Sequence, residues 1–452
     1  MKIIIAGSGK VGKTLARRLA VEGHNLTLID KSQERLQDIS EECDVIGVQG
    51  NCASMPVLQQ AGIADTDLLI AVTNEDEVNL LCCTTAHALN PKLHTIARVR
   101  NPEYTQQIHA LRDMFAVSLA VNPEMQAARE TERLLRFPGF LRRDTFAKGR
   151  TAIVELRVEE DSKLCNAPLF QLNNIVKCKV LVCSVLRDGN VITPRGNFVL
   201  QDGDRIFVTA PTNDLSILLK NLGIITRKVR KVLICGGGRM SHYLAEKLCK
   251  SGISVSIIEN NYQRCVQLAS LLPHCTVVHG DATDQQLLES QGLSGCDALV
   301  TTTGMDELNM IISLYGTGKG VPQVITKLSR PENRSISDDL ELGSVICPRE
   351  LCCDDIVRYV RATENHEGSA ISVHSIADGQ AEAVEFMVES NTLHCGEPLK
   401  NIKLRSGMLI ASITHDSLTQ IPGGDSAFVP GDIIVVVTSG KEKLRQLNDI
   451  FA

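Results

Sequence analysis

The sequence predicts an α/β protein made of two doubly wound parallel sheets in tandem, each followed by a small strand-rich α+β lobe. Three observations carry this. Lys2 to Asp30, KIIIAGSGKVGKTLARRLAVEGHNLTLID, reads as a continuous apolar strand, a glycine turn, a helix with apolar residues at helical spacing, and a second apolar strand closed by an acid. Lys231 to Glu259, KVLICGGGRMSHYLAEKLCKSGISVSIIE, repeats that succession at a constant offset of 229 positions. Behind each repeat lies a run of short alternating strands joined by D-G, P-x-G and D-G-D turns. The chain is a tandem duplication.

The glycine turn names the kind of ligand. Gly7 and Gly9 let the backbone turn sharply and approach a diphosphate, and Gly12 lets the helix sit close to the strand. Ser8, Lys10 and Val11 complete the turn, whose free amides face the phosphates with the positive end of the helix dipole behind them. Asp30 ends the second strand where a carboxylate accepts from ribose hydroxyls and repels a 2′-phosphate. Strand, turn, helix, strand and acid in register make a Rossmann-like unit. The second copy keeps Gly236, Gly237 and Gly238, followed by Arg239 and Met240, and ends at Glu259, but Ser241 stands where the third glycine belongs.

A P-loop pattern overlaps the first turn, since Gly7 to Thr14 reads GSGKVGKT with Lys13 and Thr14 in the phosphate and magnesium places. The copy has His242 and Tyr243 there, and the acid follows the very next strand. Lys13 is therefore expected to be a solvated helix-start lysine that adds positive potential near the phosphates.

Further along, Gln33 to Ile39 reads as a helix and Val45 to Asn51 as a third strand, matched by Thr276 to Thr283. Asn51, with Cys52 beside it, and Asp281 fall where a side-chain acceptor meets an adenine amine. The fourth strands, in Asp67 to Cys83 and Asp297 to Ile312, place Thr73 and Asn74, or Thr303 and Gly304, over the crevice. Glu75, Asp76 and Glu77 are expected to form a solvated helix-start face. Fifth strands end near Arg98 and Lys327, cations positioned to sense phosphate charge. Val121 to Arg143 has a helical pattern that breaks at Pro138-Gly139, and Ile346 to Arg361 matches it. The small modules span about 150–212 and 370–439, and a short basic linker runs from Leu222 to Lys231.

Bulk properties exclude several classes. With formal net charge −6, pI near 6.0, no Trp and only 3% aromatic residues, the 452-residue chain offers neither a basic field nor stacking platforms for nucleic acid. No signal peptide and no long apolar run is visible, so a cytoplasmic location is expected. The sixteen cysteines lack C-x-x-C spacing and read as reduced, mostly buried thiols; Cys235 and Cys249 stand in for small apolar residues, and the pairs Cys82/Cys83 and Cys352/Cys353 are included. The eleven histidines show no ligand spacing, so no metal site is expected.

A half containing GSGKVG, Asp30 and ARVRNPEY (Ala97 to Tyr104), followed by a module ending LQDGDRIFV and repeated once, resembles the TrkA family of cytosolic regulators of Trk potassium uptake. The resemblance covers nearly the whole chain. It implies two tandem RCK units: an N-lobe at 1–135, a linker helix and C-lobe at 136–220, a linker and second N-lobe at 221–362, and a second C-lobe at 363–452. It implies NAD(H) and ATP or ADP as ligands, and a first site of Gly7 to Val11, Asp30, Thr73, Asn74 and Arg98. The second site would hold Gly236 to Met240, Glu259, Thr303 and Lys327. It further implies self-association into a ring, a homotetramer with eight RCK domains, beneath an integral-membrane potassium channel at the cytoplasmic face of the inner membrane. Asn51, where the family often has Asp, and Ser241 depart from its pattern. An NAD-dependent oxidoreductase is the alternative, but it needs a substrate domain with an acid or base, and the only extra material here is strand-rich and lacks a histidine or lysine constellation.

Overall fold

Apolar runs such as IIIA and LLIA have no polar face to turn to water, so they belong in a parallel sheet covered on both sides. The computed structural model describes residues 1–136, 140–223, 228–330, 340, 342–363, 370–416, 418–439, 444 and 446–452, and in it these runs are central strands. The first sheet contains β1 (Lys2–Ala6), β2 (Asn25–Asp30), β3 (Ile46–Gln49), β4 (Leu68–Ala71), β5 (His94–Arg98) and β6 (Leu119–Val121), all parallel, in the order β3-β2-β1-β4-β5-β6. The strand order reverses between β1 and β4, which opens a crevice at their carboxyl ends.

An antiparallel sheet follows, built from β7 (Arg142–Phe146), β8 (Thr151–Arg157), β9 (Leu181–Arg187), β10 (Asn190–Ile192) and β11 (Arg205–Pro211), in the order β10-β9-β11-β8-β7. The second half repeats both layers. Its parallel sheet is β12 (Lys231–Cys235), β13 (Ser254–Glu259), β14 (Thr276–His279), β15 (Ala298–Thr301), β16 (Val324–Lys327) and β17 (Ser344–Ile346), ordered β14-β13-β12-β15-β16-β17. The last sheet is β18 (Ala370–Ile376), β19 (Ala381–Met387), β20 (Met408–His415), β21 (Leu418–Gln420) and β22 (Ile433–Ser439), ordered β18-β19-β22-β20-β21.

The helical pattern expected from Val121 to Arg143 resolves into three pieces: β6 ends at Val121, a helix spans Pro123–Arg136, and Arg142 already belongs to β7. The matching segment is β17 followed by the Pro348–Thr363 helix. The Pro138-Gly139 break and residues 224–227 of the 222–231 linker lie outside the described residues.

The two long helices cross between halves. Ala127, Ala128, Leu134 and Leu135 of Pro123–Arg136 join the core of Val232, Ile234, Met240 and Leu244 in the second half. Reciprocally, Cys352, Cys353, Ile356 and Val360 of Pro348–Thr363 pack with Ile3, Ile5, Val11 and Leu15 in the first. Each parallel sheet is therefore covered on one face by the other half's helix. The antiparallel sheets also meet, with Phe146, Ile153 and Phe207 against Ile376, Ala383 and Val435. The D-G-D and P-G-D turns are structural as expected: Gly203 and Gly431 have φ of +81° and +96°, and buried Asp204 and Asp432 cap the turns by accepting from Gln201 N at 2.8 Å and Val429 N at 2.9 Å.

Candidate functional site

The first glycine turn is shaped by three different demands. Gly7 has φ +103°, and a Cβ there would meet Thr73 N at 3.0 Å; a Cβ on Gly12 would come within 1.9 Å of the Gly7 carbonyl oxygen. Both glycines are required by the protein's own packing. Gly9 is not: its φ of −68° and ψ of −169° suit any residue, and no described atom lies within 4 Å of where its Cβ would stand. It caps the Lys10–Val21 helix without a side-chain hydrogen bond, at a position where Ser, Asp or Asn would stabilise the helix. The turn thus leaves unfilled space directly before a helix N-terminus, the place where backbone amides receive an anion.

Asp30 holds this turn in place. One carboxylate oxygen accepts from Ser8 N at 2.7 Å and the other from Ser32 N at 2.9 Å. Burial opposes its ionisation, but the Ser32 and Ser8 amides and the Arg35 charge outweigh that, so its carboxyl lies below the ordinary carboxylate range. Each oxygen keeps a second lone pair for a ribose hydroxyl.

Gly7, Gly9, Asp30, Asn51, Cys52, Thr73 and Asn74 line one open cleft of about 310 Å³, together with Lys31, Ser32, Arg35 and Glu75. That volume is in the range of small-molecule sites, roughly 300–1,000 Å³. Thr73 and Asn74 are set by buried Asn79, whose Oδ1 accepts from Thr73 N and Oγ1 at 2.8 and 2.7 Å and whose Nδ2 donates to Arg98 O at 2.9 Å. Arg98 is buried and caps the end of β4, donating to Thr73 O and to Asn74 Oδ1 at 3.1 Å. Its Nε has no hydrogen-bond partner among the described residues. Burial, then repulsion from Arg100, push the Arg98 pKa down. Arg98 does not itself line the cleft; it is a buried guanidinium directly behind Thr73 and Asn74, which do.

Other expected residues are placed differently. Val11 and Met240 point into the hydrophobic cores, and Lys10 is exposed. Asn51 and Asp281 close local turns, accepting from Ala53 N at 3.2 Å and Thr283 N at 2.9 Å. Lys13 is partly exposed and its Nζ pairs with Glu42 at 2.7 Å, so it is a surface ion-paired lysine rather than a freely solvated one. Thr14 Oγ1 donates to Lys10 O at 2.9 Å, so neither residue is arranged as a P-loop pair. Nor is the acidic cluster wholly solvated. Asp76 is buried and accepts from Arg100 N and Asn101 N, both at 2.7 Å, tying the chain after β5 to the helix Asp76–Leu89.

The second turn repeats the geometry with compensating changes. Gly236 has φ +104°, and Gly238 caps the Arg239–Lys250 helix with open space at its Cβ, as Gly9 does. Arg239 beside it is exposed. Glu259 takes Asp30's part, accepting from Gly237 N at 2.6 Å and Asn261 N at 2.7 Å. The longer acid needs room: a Cβ on Gly237 would lie 2.9 Å from Glu259 Oε2 and 2.6 Å from Leu268 Cδ1, which is why glycine stands where the first copy has Ser8. Ser241 is fully buried and donates to Gly236 O at 2.6 Å, so the missing third glycine is replaced by a hydrogen bond rather than a clash. Asn309 holds Thr303 as Asn79 holds Thr73, and Lys327 Nζ donates to Thr303 O at 2.6 Å. Burial lowers the Lys327 pKa, and Lys10 of the first half lowers it further.

The two turns are physically joined. Tyr243, on the helix that starts at the second turn, donates its hydroxyl to Arg100 O and accepts from Asn122 Nδ2, both at 3.0 Å. Arg100 in turn donates to Asn74 O at the first cleft. Arg18, on the first turn's helix, pairs with Asp354 at 2.5 Å, and Glu22 pairs with Arg361 at 2.6 Å, both on Pro348–Thr363.

Comparison with known proteins fits this geometry. The TrkA-N domain model matches residues 3–123 and 232–348, and the TrkA-C domain model matches 153–223 and 383–452. The chain belongs to the TrkA family. It is 31% identical to the Trk system potassium uptake protein TrkA of Halomonas elongata, over all of this chain and 98% of that one. It is 32% identical to the TrkA homolog of Archaeoglobus fulgidus over the full length of both. Both relatives are named as potassium uptake proteins. In fold, the chain is similar to the GsuK channel (TM-score 0.63, 17% identity, 97% of this chain and 76% of that one) and to the GsuK channel bound to NAD (TM-score 0.61, 17% identity, the same coverage). Among the described residues, no helix is long and apolar enough to cross a membrane.

The residues that sequence reasoning missed are the ones that hold others in place: Asp76, Asn79, Asp306 and Asn309. A signal was present. T-x-x-D-x-x-N occurs from Thr73 and again from Thr303, one of the better-kept patterns between the copies.

Proposed function

We propose that this chain is the regulatory subunit of a Trk-type potassium uptake system. Nucleotide, NAD(H) or ATP/ADP, binds in the first cleft against the Gly7–Val11 turn, with Asp30 on the ribose, Thr73 and Asn74 along the chain, and Arg98 behind them. Binding favours one arrangement of the halves, and that arrangement gates a membrane potassium channel. The observation that carries the reading is the unfilled cap at Gly9, repeated at Gly238. Two helix starts capped by glycine, each with open space ahead of it, leave backbone amides available to an anionic ligand.

The second turn, with Gly236 to Met240, Glu259, Asp281, Thr303 and Lys327, is a second site of the same chemistry. The boundaries that go with this reading are N-lobes at 1–135 and 221–362 and C-lobes at 136–220 and 363–452. The reading includes self-association into a ring, a homotetramer with eight RCK domains on the cytoplasmic face of the membrane; an apolar groove of about 400 Å³ between the helices Asp76–Leu89 and Pro102–Leu111 supports association of this kind, though not its number. Leu81 and Met114 on it are 55% and 71% exposed, more than an isolated surface needs.

The test is calorimetric titration of the purified chain with NAD, NADH, ATP and ADP, followed by potassium flux through a Trk-type channel reconstituted with and without it. Saturable binding together with nucleotide-dependent flux is expected. Flux indifferent to the presence of the chain would overturn the reading.

A further inference from the structure

All sixteen cysteines are free thiols, yet two of them are in direct contact. Cys249 Sγ and Cys275 Sγ lie 2.9 Å apart, inside the roughly 3.5–4 Å at which even carbon atoms rest. Cys249 is in the last turn of the Arg239–Lys250 helix, and Cys275 immediately precedes β14. Both are half-buried, at the margin of the second half's core beside Ile253 and Val277. The expectation that Cys249 merely replaces a small apolar residue is thus incomplete. Cys352 and Cys353 are adjacent in sequence but buried on one helix; Cys82 donates to the Cys52 carbonyl at 3.1 Å and also meets the Cys52 thiol, but that second pair is buried rather than half-exposed.

We propose that Cys249 and Cys275 form a redox-modification site, closing to an intramolecular disulfide when a hydroperoxide is present. Cys249 attacks as thiolate, its sulfur bonding one peroxide oxygen while the O–O bond breaks. Water, or an alcohol from an organic peroxide, leaves with the thiol's proton, and a sulfenic acid remains. Cys275 sulfur then bonds the sulfenic sulfur and expels its hydroxyl, which leaves as water with the Cys275 proton. Two thiols are oxidised by two electrons in all, and one hydroperoxide is reduced.

Burial and the neighbouring Cys249 push the Cys275 thiol up to about 12, and the disulfide is the same product whichever of the two sulfurs attacks first. The pair responds to sustained oxidant rather than to traces. Closure has a local consequence. It ties the far end of the helix that begins at Gly238 to the strand beside β13, whose Glu259 holds the second turn. The spacing between turn helix and strand end then becomes fixed.

The experiment treats reduced, folded full-length protein with hydrogen peroxide, alkylates the remaining thiols, and maps the digest by mass spectrometry without reduction. The expected product is a cross-linked pair of peptides carrying Cys249 and Cys275, lighter by about 2 Da than their sum. It should be absent from Cys249→Ser and from Cys275→Ser and lost on treatment with a dithiol. The wild-type digest decides even where a variant folds poorly. Recovery of both cysteines as alkylated thiols after half-exposed Cys43 or Cys165 has reacted, or their capture by other partners, would overturn the proposal.

Discussion

Gly9→Asp separates ligand binding from folding, because the structure gives opposite signs for the two. Its backbone is extended and its Cβ direction is open, so the substitution introduces neither strain nor a clash. Asp is a better helix cap than Gly by a few tenths of a kcal/mol, and it complements the helix dipole by about 0.3–1 kcal/mol. The melting temperature should therefore hold or rise by ~1–2 °C, since 1 kcal/mol shifts a domain of this size by only a few degrees. Binding moves the other way. A carboxylate about 5 Å from each of the two charges of a diphosphate costs roughly 3 kcal/mol per charge at an effective dielectric of about 20, about 6–7 kcal/mol in all, so Kd should rise by well over a hundredfold. Gly12→Ala is the contrast: its Cβ would stand 1.9 Å from Gly7 O, so it should lower the melting temperature itself. Parallel melts and titrations with NAD and ADP read both quantities. Unchanged affinity in Gly9→Asp, or a fall in its stability like that of Gly12→Ala, refutes the assignment of this turn as the diphosphate cradle.

The same geometry carries further expectations. Gly237→Ser should cost about 1–3 kcal/mol through overpacking against Leu268 and Glu259, and the added change Glu259→Asp should recover most of it, as denaturant melts of the two single variants and the double would measure. Tyr243→Phe removes the hydroxyl shared by Arg100 O and Asn122, a loss of about 1–2 kcal/mol; hydrogen exchange at residues 236–241 should then respond less to nucleotide added at the first cleft, and an unaltered response would discard the link. Glu130 is buried beside Asp144, and burial first, then that charge, raise its pKa to about 7. A raised folded-state pKa stabilises fully below the unfolded value and is lost as pH rises through the folded one, so stability should fall between about pH 4.5 and 7, by up to roughly 3 kcal/mol. Glu130→Gln should flatten that slope in melts taken across the range, offset slightly by the lost pair with Arg133 at 3.3 Å.

Much of this was legible because local chemistry dictates it. A glycine at φ +103°, an acid at the end of the next strand and a strand buried on both faces each leave a signature within a few residues. What escaped depends on partners far away in the chain. The apolar stripe of Ala127, Ala128, Leu134 and Leu135 says that a helix has a buried face, not whose sheet it covers, and either half's sheet would satisfy it. Lys13 read as solvated because its partner, Glu42, ends a helix 29 residues on. The acidic Asp76 was hidden among two exposed acids, and only its recurrence as Asp306, accepting from Ser329 N at 2.8 Å, marks it as a fixed joint. The Ser241 substitution read as a loss, whereas a hydroxyl that reaches the turn carbonyl makes it a replacement.

The exchange of crossover helices explains how an event at a glycine turn can reach the rest of the molecule. The first turn's helix rests on Pro348–Thr363 through Arg18–Asp354 and Glu22–Arg361, and that helix packs against β18 of the last sheet. The second turn's helix rests on Pro123–Arg136, with Lys247 3.6 Å from Glu132, and that helix leads toward β7. A ligand that draws either helix N-terminus toward its phosphates therefore pushes on the other half's antiparallel lobe. Such a shift requires differential affinity for the two arrangements, about 5.5 kcal/mol for near-complete switching. One cleft need not supply it all. With two turns per chain linked through Tyr243 and Arg100, each site of the proposed regulator has only to contribute a fraction, and the crossed helices couple the two contributions.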